Sequence, residues 1–224
     1  MRNVLFILSL LIATALSAQE KTISAGYCYL YSPQFDKAIQ TYNFSRPELA
    51  NNQPLLQHGL GARLSIVYPS EKMLSHGFGV SYTLHGSTAT NPNFETNLRL
   101  HLLRFNYVLA MHQPSCDGGA YASISFSAVG GGLFRYVNNE AVTDDGKSFR
   151  ALGIGAEISG RYGYRFCIGE TTAISPFVEL AISPFYYSPN TEAVLNQTKT
   201  LATTPWSQYL VAQVGCSAHF AKND

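Results

Sequence analysis

From residue 22 onward, apolar and polar residues alternate one by one in segment after segment. In 59–69, Leu60, Ala62, Leu64, Ile66 and Tyr68 alternate with Gly61, Arg63, Ser65 and Val67. In 77–86, Phe78, Val80, Tyr82 and Leu84 alternate with Gly79, Ser81, Thr83 and His85. The same rhythm runs through 120–129, 151–167, 177–186 and 210–220. Period two puts every second side chain on one face, so each segment predicts a β-strand with one apolar face. Two further strands read less cleanly. Residues 22–31 put Tyr27, Tyr29 and Tyr31 on one face without saying which way it looks. Residues 97–111 change phase: Leu98, Leu100 and Leu102 share one face, and Leu103, Phe105, Tyr107, Leu109 and Met111 follow out of step. A bulge near Leu102–Leu103 would bring both sets to the apolar side and turn Arg99, His101, Arg104 and Asn106 away from it.

Eight strands result, each long enough for the roughly 9–11 residues that a membrane-crossing strand needs. The connections alternate in length. Those at 70–75, 112–118 and 168–172 are short, and those at 32–58, 87–96, 137–148 and 187–204 are long. Short turns on the periplasmic side and long loops outside are the habit of bacterial barrels, so both termini are expected in the periplasm. The pattern predicts an all-β fold: an eight-stranded antiparallel up-and-down transmembrane β-barrel with its apolar face outward. Aromatic residues gather at the strand ends. Tyr68, Tyr107, Tyr162, Tyr164, Phe166 and Phe220 lie at one end; Tyr31, Phe134, Tyr136, Tyr186, Tyr187 and Trp206 lie at the other. These are candidates for two interfacial girdles.

The first residues change the compartment. Arg2 precedes an apolar run from Val4 to Leu16, and Leu16-Ser17-Ala18 offers small residues for cleavage. Residues 1–18 therefore read as a signal peptide and 19–224 as one barrel domain; the run is too short for a spanning helix. Composition agrees with an envelope protein. Only 13% of residues are charged and 12% are aromatic, against about 25% charged in ordinary soluble domains. Lys+Arg total 15 and Asp+Glu 14, so nothing attracts nucleic acid.

The leader, the eight strands, the loop asymmetry and a last strand ending at Phe220 together resemble the small outer-membrane β-barrel proteins. That superfamily includes the OmpA-type transmembrane domain, OmpX-like barrels and PorT-like barrels. The resemblance implies a place in the outer membrane, contact with its lipid, and recognition of the C-terminal strand by barrel-assembly machinery. Residues 221–224 depart from that terminal signature by following the aromatic. The superfamily is defined by architecture, so it implies a fold more than a role.

Candidate chemistry concentrates on the polar face. Arg63, Arg99, Arg104, Glu157, Arg161, Arg165 and Glu179 are expected to point into a lumen scarcely wider than its side chains. Buried charges must pair there, so the set reads as a salt-bridged plug. The alternatives are a gate in a narrow solute channel, or a pair of carboxylates, Glu157 and Glu179, doing acid–base work in a lipid-A-modifying enzyme. His85 and His101, with Ser81 and Ser87 near them, do not make a diagnostic nucleophile site, and no G-x-S-x-G elbow occurs. No H-E-x-x-H, paired C-x-x-C or P-loop is present, so no metal or cofactor is implied. Gly130-Gly131-Gly132 reads as a bulge or bend. Cys116 and Cys167 fall at one rim on neighbouring strands and are candidates for a disulfide in an oxidising compartment. Cys28 and Cys216 lie on the first and last strands and read as apolar filling. The loop at 32–58 carries Phe35, Tyr42, Phe44, Leu49, Leu55 and Leu56, with a short helix expected over 36–42. It either folds over the barrel mouth or presents a contact surface for a protein or ligand.

Overall fold

A computed structural model describes residues 20–45, 51–68, 74–91, 94–111, 118–139, 149–187 and 206–221. The expected leader, residues 1–18, lies outside the described residues. Eight strands close into one antiparallel barrel in sequence order: β1 (Glu20–Tyr31), β2 (His58–Tyr68), β3 (Leu74–Asn91), β4 (Phe94–Met111), β5 (Gly119–Asn139), β6 (Phe149–Cys167), β7 (Thr172–Tyr187) and β8 (Trp206–Ala221). One helix, α1 (Pro33–Phe44), lies between β1 and β2. Closure leaves no sheet edge, because β1 pairs with β8 along its whole length, from Glu20↔Ala221 to Tyr31↔Leu210. Side-chain bulk must fall where so few strands coil tightly. At this seam Gly26 lies opposite Gly215, and a Cβ on Gly26 would come 2.4 Å from the Val214 carbonyl oxygen.

The apolar faces look outward. Leu60, Leu64, Phe78, Val80, Phe105, Ile154, Ile158, Leu180 and Val214 are all exposed. So are Tyr27, Tyr29 and Tyr31, which settles the facing of β1. Soluble monomers rarely expose a contiguous apolar surface of this kind, which here runs around the whole barrel. No described helix is long and apolar enough to cross a membrane. Of the expected girdles, Tyr162, Tyr164, Phe166 and Phe220 at the end that carries the termini are exposed, as are Tyr31 and Tyr136 at the other. The side chains of Tyr186, Tyr187 and Trp206 lie outside the described residues.

Three expectations need correction. β4 has no bulge near Leu102: it pairs in unbroken register with β3 and with β5. Leu98, Leu100 and Leu102 therefore point inward, each fully buried, while Arg99 is exposed on the outside with its guanidinium 5.5 Å from the Tyr136 ring centre. His101 also faces outward, where its Nδ1 lies 2.5 Å from the Tyr82 hydroxyl. Gly130-Gly131-Gly132 is not a bend but continuous strand, paired on both sides. Gly132 is needed for space, since a Cβ there would come 2.7 Å from the Phe134 ring, which packs edge-on against His101. The irregularities lie in β7 instead, at Ala156/Ile158 opposite it and at Ser183/Tyr186. Finally, the expected long loop at 87–96 is mostly strand. β3 and β4 stay paired out to Asn91↔Phe94, leaving only residues 92–93 between them. Polar, β-branched Thr88, Thr90 and Thr96 form strand as readily as apolar residues, but carry no alternation to reveal it.

Candidate functional site in the barrel lumen

The inward faces build a column in two parts. The half nearer the termini is polar and charged. Glu20, Arg63, Arg104, Glu157, Arg161 and Arg165 all point into it and are at most 9% exposed. Arg161 and Glu179 are direct cross-strand partners on β6 and β7, and their ion pair closes at 2.6 Å. Arg63 reaches the same carboxylate from β2 at 3.5 Å and donates to Ser125 at 2.7 Å. Arg161 also donates to Ser24 at 2.8 Å and lies 4.0 Å from the Phe177 ring centre. Glu157 does not pair with Arg161, four residues along its own strand. It pairs across the lumen with Arg104 of β4 at 2.8 Å and accepts the Tyr209 hydroxyl at 3.0 Å.

A last layer, at the terminal end, was not foreseen from the sequence. Glu20 takes Arg165 at 2.5 Å and His219 at 2.9 Å, and His219 Nε2 lies 2.5 Å from the Ser175 hydroxyl. The signal was present, because Glu20, Thr22 and Ser24 continue the polar face of β1. Glu20 is the second residue after the expected cleavage point, where a mature N-terminus gives little reason to look for structure. The linear order Glu20, His219, Ser175 imitates a nucleophile relay, but Ser175 is fully buried. A substrate carbonyl has no room to reach it, and the layer acts as a clamp across β1, β6, β7 and β8.

The other half of the lumen is apolar and closed by α1. The helix starts with Pro33 at its first turn, where a missing N–H costs nothing. It buries Phe35, Ala38, Ile39 and Tyr42. These pack onto Leu30, Leu98, Leu100, Leu102, Val129 and Leu133 from the strands. The three inward leucines of β4 are thus the floor on which the helix sits. Beneath it Arg135 is held by the Tyr42 hydroxyl at 2.9 Å and lies 5.3 Å from the Tyr42 ring centre. The chain returning from α1 is fixed by a reciprocal pair: Asn43 donates to the Gln53 carbonyl at 2.9 Å, and the Gln53 amide donates to Asn43 at 2.8 Å. Asn51 then bonds Thr90, and Gln53 bonds Ser87 at 2.7 Å, tying this segment to β3. The helix expected over 36–42 is therefore longer, and it covers the mouth.

No family model matches the chain, and no curated protein sequence does. The fold does have likenesses among solved structures. Ail, the attachment invasion locus protein of Yersinia pestis, is 10% identical, with a TM-score of 0.43 over 91% of this chain and 99% of that one. Neisserial surface protein A is 10% identical, with a TM-score of 0.46 over 91% and 96%. OprG of Pseudomonas aeruginosa is 8% identical, with a TM-score of 0.35 over 92% and 97%. This chain is similar in fold to small outer-membrane barrels.

Of the cysteines, Cys167 is an exposed free thiol at the end of β6, and its expected partner Cys116 lies outside the described residues. Cys28 points inward and is fully buried, whereas Cys216 is exposed on the outer face, so the seam pair cannot bridge. Among the described residues no group of three or more His, Cys, Asp or Glu side chains could hold a metal ion.

The plug is open to a direct check. Ile39 is fully buried on the inner face of α1. Ile39→Ala should cost about 2–5 kcal/mol, all of it in the packing of the helix. Added protease is expected to cut within 32–57 in this variant and to leave the wild type whole, while the barrel keeps its folded mobility. Equal resistance in both would mean that the helix does not depend on the apolar floor.

Proposed function

We propose that the protein is an integral outer-membrane barrel with a closed lumen, that it catalyses no reaction, and that it works through contacts made at its α1 end. The observation that carries the reading is the double closure of the lumen: ion-paired layers in one half, an apolar core capped by a helix in the other. Its exterior supports the membrane part, since every strand turns apolar side chains outward. Strands β3 to β6 run 18 to 21 residues. That exceeds the roughly 9–11 a bilayer requires, so they stand beyond the lipid as a rigid wall. On β3 and β4 the outward residues of this extension are polar: Thr88, Thr90, Glu95, Asn97 and Arg99. With α1 and residues 51–57 they form the contact surface. In this reading residues 1–18 are removed on export, both termini face the periplasm, and the strand ending at Phe220 is the segment recognised during assembly.

Planar bilayers test the closure. Purified, folded protein is expected to give no steps of conductance above the bare membrane. Reproducible single-channel steps would replace this reading with the narrow channel, the second reading allowed by a charged lumen. A shift in lipid-A mass on overexpression would replace it with an enzyme. The membrane part has its own check. Unboiled protein should run ahead of boiled protein on a detergent gel, because a closed barrel resists unfolding by detergent. Recovery of folded monomer from a detergent-free soluble fraction would sink it.

A further inference from the structure

Two cavities interrupt the packed column. One, of about 10 Å³, lies among Arg63, Arg104, Glu157, Arg161 and Glu179, which bond one another around it and leave space for no more than a water. The other, of about 30 Å³, lies nearer the termini, and Arg63, Arg161, Arg165, Tyr121, Glu20 and His219 are on its walls. A water needs about 10–15 Å³ of such space, so the second cavity has room for a water or two, or for one ion of similar size.

Its walls carry unanswered donors, while their one carboxylate, Glu20, is already engaged by Arg165 and His219, and the Thr22, Ser65 and Ser123 hydroxyls carry no charge. The Nε of Arg63, the Nε of Arg165 and the hydroxyl of Tyr121 are buried with no hydrogen-bond partner among the described residues. The three side chains are 4%, 9% and 5% exposed, so water outside the barrel does not reach them freely. Three unanswered donors on one small cavity is unusual, since buried polar groups are nearly always bonded. The charges point the same way. Arg63 and Arg161 share Glu179, and Arg165 has Glu20. Arg104 and Glu157 neutralise each other. Arg135 sits apart in the other half of the lumen, held by Tyr42, so around this cavity three guanidinium groups, Arg63, Arg161 and Arg165, meet two carboxylates, Glu20 and Glu179, and the surplus positive charge falls on its Arg63–Arg161 side. Water would answer the donors and leave the charge. A small anion answers both, and a buried charge without a counter-charge is the costlier defect.

We propose that this cavity binds one small monovalent anion of the halide class, held by Arg63, Arg165 and Tyr121. Sulfate and phosphate, each with four oxygens about a central atom, are too large for the space. The anion enters from the end of the barrel where β1 begins and β8 finishes.

The test uses the full chain in detergent micelles, with sodium chloride, bromide or gluconate at one ionic strength. The thermal midpoint should rise with chloride or bromide, follow a saturable dependence on halide concentration, and stay flat in gluconate, as for any ligand that binds only the folded state. Tyr121→Phe removes one donor and no charge. It should fold and need about tenfold more halide for the same rise, the loss of a hydrogen bond to a charged partner. A crystal grown in bromide should show an anomalous peak between Arg63, Arg165 and Tyr121. The proposal is overturned if gluconate supports the same midpoint as chloride, if Tyr121→Phe leaves the halide dependence unchanged, or if the cavity holds only water in bromide.

Discussion

Glu157→Gln is expected to lower the thermal midpoint of the barrel sharply, with a loss on the order of 3–5 kcal/mol. The side chains of Arg104 and Glu157 are 5% and 2% exposed, so neither charge is shared with solvent. A glutamine has nearly the same shape and still accepts the Tyr209 hydroxyl. What it cannot do is balance Arg104, whose cation then stays deep in the lumen without its carboxylate partner, donating to Thr83 at 3.0 Å. Most of the loss is therefore the stranding of a charge rather than the worth of the pair. Removing Arg104 as well should recover part of it, because the two charges vanish together. Arg161→Gln in place of Arg104→Gln should recover nothing, since Arg161 serves Glu179. Denaturation followed by gel mobility or circular dichroism measures all four proteins. A wild-type midpoint for Glu157→Gln would mean that the lumen is wet enough to solvate Arg104, and the closed reading would fall with it.

That pairing shows where the sequence stops informing. Arg161 and Glu179 are opposite each other on adjacent strands, so their meeting follows from strand order and face alone. Arg104 and Glu157 sit on strands separated by β5 and meet across the lumen. Which of several inward arginines a carboxylate reaches across a barrel depends on stagger and side-chain height, and alternation encodes neither. It gives a residue's face and nothing about its opposite number.

β4 departs from the expected facing for a different reason. The argument that apolar residues face outward holds wherever the lumen is polar. It reverses where the lumen holds a core of its own. Leu98, Leu100 and Leu102 belong to that core and face α1, so the phase change near Leu102 marks a change of environment along a regular strand, not a bulge. The displaced polar residues were Arg99 and His101, which the bulge would have turned inward. Phe35, Ile39 and Tyr42 in the first loop were the available clue, for a helix with a buried apolar stripe needs an apolar floor. The other strand faces, that of β1 apart, were legible because outward side chains were apolar and most inward ones small or polar.

Ile158→Arg should prevent or severely weaken assembly, at a cost of about 2–4 kcal/mol if the position lies near the bilayer midplane. Ile158 is 50% exposed and flanked on the outer face by Phe126 of β5 and Ile182 of β7. Nothing polar on this face can take a guanidinium, and the aromatic residues that mark the belt's edge stand well away along β6, at Tyr162, Tyr164 and Phe166. His76→Arg makes the contrast. His76 is outward too, but at the terminal end of β3 beside Tyr68, where a cation can reach headgroups and the cost should fall to about 0–1 kcal/mol. Ser159→Arg, one residue from Ile158, changes the other face. Ser159 is 3% exposed and opposite Ser125, which already takes Arg63, so a further guanidinium there adds both bulk and an unbalanced charge. Folding yield into lipid vesicles and the urea midpoint separate the three. The outward variants should differ from each other by depth, and Ser159→Arg should fail in detergent as well as in lipid. If Ile158→Arg folded as well as His76→Arg, the apolar belt would not be immersed in lipid at Ile158, and the exterior would need a partner other than a membrane.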